Sequence, residues 1–290
     1  MVVEVETANT GEKLAPGLYF VATPLGNARD ITLRALDILG QVDVLAAEDT
    51  RRLRHLMEIH GIPLAGRRIV AYHDHNGKSV RPGLLAALVE GKAVAYVSDA
   101  GSPLVADPGF GLARAAIDSG HEVFAAPGPS AVIAALTVAG LPTDRFSFAG
   151  FPPTGAGARQ SFFAGLSNAP GTLVVYESPK KIAASLKAAV DALGSERPAV
   201  LARELTKKFE EIRRGTLGSL VDSVQADPPR GEIVLCIGEG MIEIDPEKIE
   251  AALKKAMETM RLKDAAREVS ELYGVSKRDL YQLGLTFEER

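Results

Sequence analysis

Residues 98–111 read SDAGSPLVADPGFG, a stretch rich in small and turn-forming residues between an apolar run at Val94–Val97 and a helical pattern at Leu112–Ser119. A loop in this position lies at the carboxyl end of a strand, where α/β proteins place their ligands. Its glycines let the backbone approach a ligand closely, and Asp99 and the serines add polar groups. The stretch predicts an α/β fold with a ligand-holding loop. The alternative is an ordinary turn in which Asp107 caps the following helix.

The same alternation of strand and helix patterns extends on both sides of this loop. Apolar runs typical of strands occur at Leu18–Thr23, Val42–Ala47, Ile69–Ala71, Val94–Val97 and His121–Ala125. Helical patterns follow these runs, the first capped near Asp30 and the third at Leu84–Glu90. This alternation predicts a mostly parallel sheet covered on both faces.

A second alternation predicts a second α/β domain. Its strand patterns are Thr172–Tyr176, Ala199–Arg203 and Ile233–Ile237, with a further extended piece at Glu210–Gly215. The C-terminal residues differ: Pro246–Met260 has a helical period, and two short helical patterns flank Gly274 with helix-turn-helix spacing. We therefore predict three domains, at residues 14–127, 128–240 and 245–290.

Composition narrows the class of protein. The chain has 290 residues, 46% of them hydrophobic and 24% charged, with a net charge of −4. A mildly acidic chain has no whole-molecule electrostatic reason to bind nucleic acid. The single cysteine excludes an internal disulfide, which favours a reducing compartment. Without a signal-peptide pattern or an apolar run of about 20 residues, we expect a soluble cytoplasmic protein without a membrane partner.

Two other loops leave strand ends in the same way as residues 98–111. The first, TPLGNARDITLRAL at Thr23–Leu36, bends tightly at Pro24 and Gly26. The second, APGPSAVIAAL at Ala126–Leu136, offers Ser130 and Ala131 at a helix start, although a simple N-cap would look the same. Neither contains the GxGxxG pattern, so a nicotinamide or flavin enzyme of the usual dinucleotide-binding kind is disfavoured.

The order of these motifs resembles a known family. The set TPLGNARDITLRAL, AEDTRR, SDAGSPLVADPGFG and PGPSAVIAAL, followed by VVYESPKKI, ARELTKKFEE, RGTL and GEIVLCIG, is similar to the tetrapyrrole-methylase superfamily, and most of all to its ribosomal RNA small-subunit methyltransferase I family. The resemblance implies two αβα domains with S-adenosylmethionine in the cleft between them, plus a helix-turn-helix-like tail. It also implies 2′-O-methylation of a decoding-centre cytidine in the 16S ribosomal RNA, on the naked RNA or the assembled small subunit, by a homodimer.

The resemblance also implies which residues hold the cofactor. They follow the first, fourth and fifth strands and continue into the second domain. The set comprises Pro24, Leu25, Gly26, Ser98, Asp99, Ala100, Gly101, Ser102, Ser130, Ala131, Tyr176, Glu177, Gly215, Thr216 and Leu217.

Local charge favours RNA over a small substrate. Residues 51–81 contain seven lysines and arginines against two acidic residues. Such patches suit phosphate contacts, although solvated helix faces carry similar clusters. The candidate RNA-binding residues are Arg51, Arg52, Arg54, His73, His75, Arg203, Lys277 and Arg278. The segment YHDHN contains residue types that often bind metal ions. Methyl transfer from a sulfonium needs no metal, however, so we expect its histidines to face the substrate instead.

A ribose hydroxyl needs a group that takes its proton. The candidate catalytic residues follow apolar strands in AEDTRR and ARELTKK: Glu48, Asp49, Glu204, and Lys207 if nearby cations depress its pKa. Glu177 is a further candidate, and Arg51 and Arg203 suit bidentate phosphate contacts. A structural ion pair is the alternative for each of these residues.

Two other functions remain open. A precorrin or uroporphyrinogen methyltransferase would use the same fold, but a small soluble substrate needs neither the tail nor the basic segment. A ligand-sensing nucleic-acid-binding regulator would carry a strongly basic recognition helix, whereas the second tail helix offers only Lys277 and Arg278.

Overall fold

The computed structural model describes residues 13–239, 246–273 and 275–288. These residues divide into two compact units, 13–239 and 246–288. The first unit contains two five-stranded sheets, and the second contains helices alone.

The first sheet is parallel throughout, as the alternation predicts. Its strands are β1 (Gly17–Val21), β2 (Val44–Ala47), β3 (Ile69–Ala71), β4 (Ala93–Val97) and β5 (Val123–Ala126), in the order β3-β2-β4-β1-β5. Side chains alternate along β1, so Tyr19 and Val21 enter one core while Leu18 and Phe20 enter the other. The covering helices are α1 (Leu33–Gln41), α2 (Thr50–Ile59), α3 (Gly77–Val89) and α4 (Phe110–Asp118).

Two helix starts differ from the sequence predictions. Helix α1 is capped by Thr32, whose Oγ1 accepts a hydrogen bond of 3.1 Å from the backbone N–H of Ala35, because Asp30 ends a separate 3-10 turn. Helix α3 begins at Gly77, well before the predicted start at Leu84. The first turns of α3 were not predicted because Pro82 lies within the helix, and proline is normally disfavoured in a helix interior. The alternative of Asp107 as a helix cap is wrong, since Gly109 occupies the N-cap of α4.

The second half of this unit carries a mixed sheet. Its elements are α5 (Ala131–Ala139), β6 (Phe146–Phe148), α6 (Ala156–Gly165), β7 (Thr172–Glu177), α7 (Ile182–Leu193), β8 (Pro198–Arg203), β9 (Glu211–Thr216), α8 (Leu217–Ala226) and β10 (Ile233–Ile237). The order is β6-β7-β10-β8-β9, and only the β6–β7 pair is parallel. Strand β10 inserts between β7 and β8, so the N-terminus of β10 lies beside the C-termini of both.

The second unit is a small helical domain. Helices α9 (Pro246–Met257), α10 (Leu262–Tyr273) and α11 (Lys277–Glu288) surround a core that includes Leu253, Ala266 and Leu280. The two predicted short helices are therefore present, while Gly274 between them lies outside the described residues. No helix in the described part of the chain is both long and apolar enough to span a membrane.

Candidate functional site

A cavity of about 280 Å³ lies where the loops after β1, β4 and β5 meet the second half of the first unit. Nine of the residues expected to hold a cofactor line it: Leu25, Asp99, Ala100, Gly101, Ser102, Ser130, Ala131, Tyr176 and Glu177. Loops that are far apart in sequence are thus brought together by the parallel order of the first sheet.

Backbone hydrogen bonds fasten these loops to one another. Thr23 and Gly101 exchange two backbone hydrogen bonds of 3.0 Å, and Ser98 Oγ donates to the Gly101 carbonyl at 2.5 Å. Gly101 has a φ of +79°, a left-handed conformation that favours glycine, and a Cβ there would lie 3.1 Å from the Leu25 side chain. Ser102 Oγ donates to the Pro129 carbonyl at 3.0 Å. The cavity wall is therefore held in place by the chain itself.

Asp99 is oriented by the start of α2. Its Oδ1 accepts a hydrogen bond of 2.9 Å from the backbone N–H of Asp49, and its Oδ2 lies 3.6 Å from an Arg52 guanidinium nitrogen. Asp49 itself is the N-cap of α2, and its carboxylate accepts hydrogen bonds from the backbone and guanidinium of Arg51. These bonds hold the pKa of Asp49 well below its usual range, so this candidate catalytic residue is a poor proton acceptor.

Tyr176 and Glu177 form the end of β7 at the cavity. The Tyr176 ring packs edge-on against Phe148 and Phe151, with centroids 4.8 and 5.5 Å away, and burial raises its pKa to about 12. Glu177 is only 4% exposed. Its carboxylate accepts hydrogen bonds from the Ser178 N–H at 2.7 Å and from Ser185 Oγ at 2.5 Å. The Glu177 carboxylate is therefore held in place by the start of the β7–α7 connection and by α7 itself.

Gly215, Thr216 and Leu217, which were expected to contact the cofactor, are not among the residues that line the cavity. The antiparallel pairing of β8 with β9 sets Gly215 opposite Ala199, while Arg203 lies beside Ile233 at the cavity. Four residues of strand separate these positions by about 13 Å. Thr216 instead caps α8, and Leu217 is fully buried in the core.

Pro24, Gly26 and Ser98 lie in a second recess beside the cavity, which shares Arg52 and Asp99 with it. A Cβ at Gly26 would overlap the hydrocarbon stem of Lys207, so this glycine permits close contact between the two halves.

Lys207 and Glu204 form an ion cluster with Glu232 within the second half, beside that contact. The Lys207 ammonium donates to Glu204 at 2.9 Å and to Glu232 at 3.1 Å. Burial lowers the pKa of Lys207, but these two hydrogen bonds outweigh that effect and raise it, so the expected depression is wrong. A hydrogen bond from the Glu232 backbone N–H, followed by Lys207, lowers the pKa of Glu204. Both residues are thus engaged in holding the structure.

The candidate RNA-binding residues fall into different settings. Arg51 contacts Asp49, and Arg203 forms an ion pair of 2.6 Å with Glu211, so their guanidinium groups are directed at carboxylates of the chain. Arg52, Arg54 and His75 are exposed, whereas His73 is half-buried. Lys277 and Arg278 are exposed at the start of α11, in the other unit. Within the described ranges, no three histidine, cysteine or acidic side chains are placed to hold a metal ion.

Sequence reasoning missed several residues of the cavity. Those from the second half are Phe151, Leu205, Glu232, Ile233 and Val234, and those from the loop before α4 are Val105, Ala106 and Asp107. The motif GEIVLCIG contains three of these residues and is part of the family resemblance, but their role could not be assigned from it. Asp107 stood in the loop that decides the fold, but only the structure shows it at the cavity.

Glu48 and Asp107 form an acidic pair beside this cavity. Glu48 lies after β2 and Asp107 lies before α4, and each carboxyl group affects the pKa of the other. Burial raises the pKa of Glu48, and Asp99 adds to the shift. Burial, with the charges of Glu48 and Asp99, raises the pKa of Asp107 to about 7.

Comparison with known proteins agrees with this architecture. The family model for Tetrapyrrole (Corrin/Porphyrin) Methylases matches residues 17–221, and that for the RsmI C-terminal HTH domain matches residues 243–287. The chain is 48% identical to the ribosomal RNA small subunit methyltransferase I of Mesorhizobium japonicum, over 96% of this chain and 94% of that protein. It is 43% identical to the protein of the same name from Escherichia coli, over 92% and 94% of the two chains.

A solved structure shares the fold of the first unit. The uroporphyrin-III C-methyl transferase from Thermus thermophilus, complexed with S-adenyl homocysteine, superposes with a TM-score of 0.53 at 20% identity, covering 77% of this chain and 97% of that one. At this identity the likeness concerns the fold alone. Because the relatives match nearly the whole chain and the family models match both units, the chain belongs to the ribosomal RNA small subunit methyltransferase I family, within the tetrapyrrole methylases.

Proposed function

We propose that this chain transfers a methyl group from S-adenosylmethionine to the 2′-hydroxyl of a decoding-centre cytidine in small-subunit ribosomal RNA. The observation that carries the proposal is the cavity in which the three strand-end loops meet Tyr176 and Glu177. Family membership supplies the class of acceptor, and the finer choice of the cytidine ribose rests on the resemblance of the motifs.

The residues of the cavity fit the proposed cofactor. Leu25, Val105, Leu205 and Val234 offer apolar walls for an adenine ring. Asp99, with Ser102 and Ser130, offers polar groups for the ribose and the charged amino-acid end. When bound, the cofactor supplies an electrophilic methyl group on a sulfonium. The chain's own residues hold the acceptor in line with it, and such orientation contributes several kcal/mol.

Exposed cations on α2, of which Arg52 lines the cavity, support an RNA acceptor. Arg52 and Arg54 lie on α2, directly after the loop that orients Asp99. Phosphate contacts from this helix would position a strand without reading its sequence. Lys277 and Arg278 on the helical domain are proposed to add contacts to the ribosomal subunit.

We also propose that the chain works in the cytoplasm as a homodimer. An apolar groove runs beside β5, the edge strand of the first sheet, and is lined by Pro103, Leu104, Ile117 and Phe124. Leu104 and Ile117 are 38% and 57% exposed. Contiguous apolar surface of this kind is typical of protein–protein contacts. An I117D variant that sediments as a monomer, beside a dimeric wild type, would support this surface as the interface.

The acceptor is tested by offering three substrates separately with labelled S-adenosylmethionine. These are small subunits from a strain lacking the modification, naked small-subunit RNA, and uroporphyrinogen. We expect label in ribosomal RNA, and the first two arms decide whether the subunit must be assembled. Label in uroporphyrinogen alone would favour the small-molecule methyltransferase, and tight DNA binding without transfer would favour the regulator.

A further inference from the structure

Three buried polar atoms belong to the acidic pair of Glu48 and Asp107 or to side chains that act on it. Tyr96 is 0% exposed, yet its hydroxyl has no hydrogen-bond partner in the described part of the chain. The same holds there for Asp107 Oδ2 and for His73 Nδ1. Buried polar groups are normally satisfied by protein, water or ligand. These atoms therefore indicate a position at which a further polar group would bind.

The two carboxyl groups of the pair differ in their access to the cavity, although each acts on the pKa of the other. Asp107 lines the cavity as well, whereas Glu48 is not among the lining residues. A proton entering or leaving the pair from the cavity side therefore passes through Asp107.

The groups facing the pair favour uptake of a proton. Glu48, Asp99 and Asp74, which follow β2, β4 and β3, act on Asp107 electrostatically in the same direction as its burial. The charge of Asp107 in turn contributes to the raised pKa values of Tyr96 and Tyr176. His73 faces Glu48 and partly offsets these effects on it. The net charge around Asp107 is therefore negative, which favours the protonated form of its carboxyl group. A general base works best when its pKa lies near the working pH.

Methylation of a hydroxyl releases one proton, which needs an acceptor. We propose that Asp107 is the catalytic residue that accepts this proton, and that Glu48 is a positioning residue that acts through it. This inference rests on the proposed function. The hydroxyl oxygen gains a bond to the methyl carbon as the carbon–sulfur bond breaks, with that electron pair remaining on sulfur. The hydroxyl proton passes to the Asp107 carboxylate and is later lost to water.

The other candidate acceptors are less suited to this role. Hydrogen bonds lower the pKa values of Asp49 and Glu204, and Lys207 is a protonated partner of two carboxylates. Glu177 accepts hydrogen bonds from two serines. Asp107, by contrast, lines the cavity with one buried carboxylate oxygen that has no hydrogen-bond partner in the described part of the chain.

The test is a single-turnover assay of methyl transfer to small subunits across pH 5 to 9, with D107N and E48Q beside the wild type. D118N is the matched control, because Asp118 is exposed at the end of α4 and pairs with Arg114. We expect D107N to lose about 10²- to 10⁴-fold in rate, as is typical for a general base. We expect E48Q to shift the acidic limb of the profile to lower pH, because the charge that raises the pKa of Asp107 is gone.

Calorimetry of cofactor binding and the pH dependence of unfolding without cofactor are the readouts besides activity. D107N is expected to bind the cofactor with a Kd within a few-fold of the wild-type value. If D107N does not bind the cofactor, the pH profile of E48Q decides whether the proposal holds. A D107N rate within threefold of wild type, or an E48Q limb that does not move, overturns the proposal. If the wild type itself transfers no label to RNA, the proposed function fails instead, which keeps the two results distinct.

Discussion

The backbone N–H of Asp49 donates a hydrogen bond of 2.9 Å to Asp99 Oδ1 and so joins the start of α2 to the loop after β4. Its partner oxygen, Oδ2, lies 3.6 Å from Arg52. The Asp99 side chain, which lines the cavity, is thus oriented by the same helix that carries the exposed arginines. This bond joins the proposed cofactor site to the helix proposed to contact RNA.

Removing the Asp99 carboxylate is expected to weaken cofactor binding. Hydrogen bonds to charged groups contribute about 1.5 to 3 kcal/mol, so D99A should raise the Kd for S-adenosylmethionine by about 10- to 100-fold. Calorimetric titration measures this change. D144A alters an exposed carboxylate of the second half and is the control. An unchanged Kd for D99A would show that the carboxylate does not face the cofactor.

Two glycine-to-alanine changes should have opposite effects on stability. Gly101 has a φ of +79° with Leu25 close by, so G101A should destabilise the fold by about 1 to 3 kcal/mol. Gly157 lies in α6 with open space around it, so G157A should stabilise by about 0.5 to 1 kcal/mol. Denaturant unfolding of both variants measures the difference. A G101A variant as stable as wild type would mean that the loop readily adopts another conformation.

The Asp107 pair gives a pH dependence of stability with a definite sign. The pKa of Asp107 is raised to about 7 in the folded chain, against about 4 when unfolded. Its stabilising contribution is therefore complete below pH 4 and is lost as pH rises through 7. Because asparagine cannot ionise, the Tm of D107N relative to wild type should increase between pH 5 and pH 8. A Tm difference that is constant over this range would contradict the raised pKa.

Exposed arginines on α2 should contribute to affinity for RNA in a salt-dependent way. R54Q is expected to weaken binding to small subunits and to reduce the slope of log K against log salt by about 0.7 for one lost phosphate contact. R114Q removes an exposed arginine on α4 that pairs with Asp118 and serves as the control. Equal slopes for wild type and R54Q would exclude a phosphate contact at this residue.

Lys207 is expected to stabilise the fold rather than to accept the proton that methyl transfer releases. K207M keeps the hydrocarbon stem beside Gly26 but leaves Glu204 and Glu232 without their shared ammonium. We expect a loss of about 1 to 2 kcal/mol, seen as a Tm lower by a few degrees. The pH profile of methyl transfer should keep its wild-type shape. An abolished transfer rate in a K207M variant of unchanged Tm would instead assign Lys207 to the chemistry.

The sequence predicts some levels of this structure better than others. The parallel sheet follows from local strand and helix patterns, because each crossover returns the chain in the same direction. The mixed second sheet does not follow, since β10 inserts between two strands that precede it by many residues. The three-residue strand β6 was not predicted.

The same contrast holds for the site. Loops that leave parallel strands converge by topology, so Asp99, Ser102 and Ser130 could be grouped from sequence. Asp107 could not be assigned from its loop, because its raised pKa depends on burial and on the charges of Glu48 and Asp99, which follow other strands. The position of Gly215 away from the cavity has the same origin, since an antiparallel pairing sets it opposite Ala199.

The most direct test of the central claim is the chemical identity of the methylated nucleoside. The chain is incubated with labelled S-adenosylmethionine and small subunits lacking the modification, and the RNA is then digested to nucleosides and separated. We predict label in 2′-O-methylcytidine from the decoding centre. Label in a base-methylated nucleoside, or no label in RNA while uroporphyrinogen is methylated, would contradict the account.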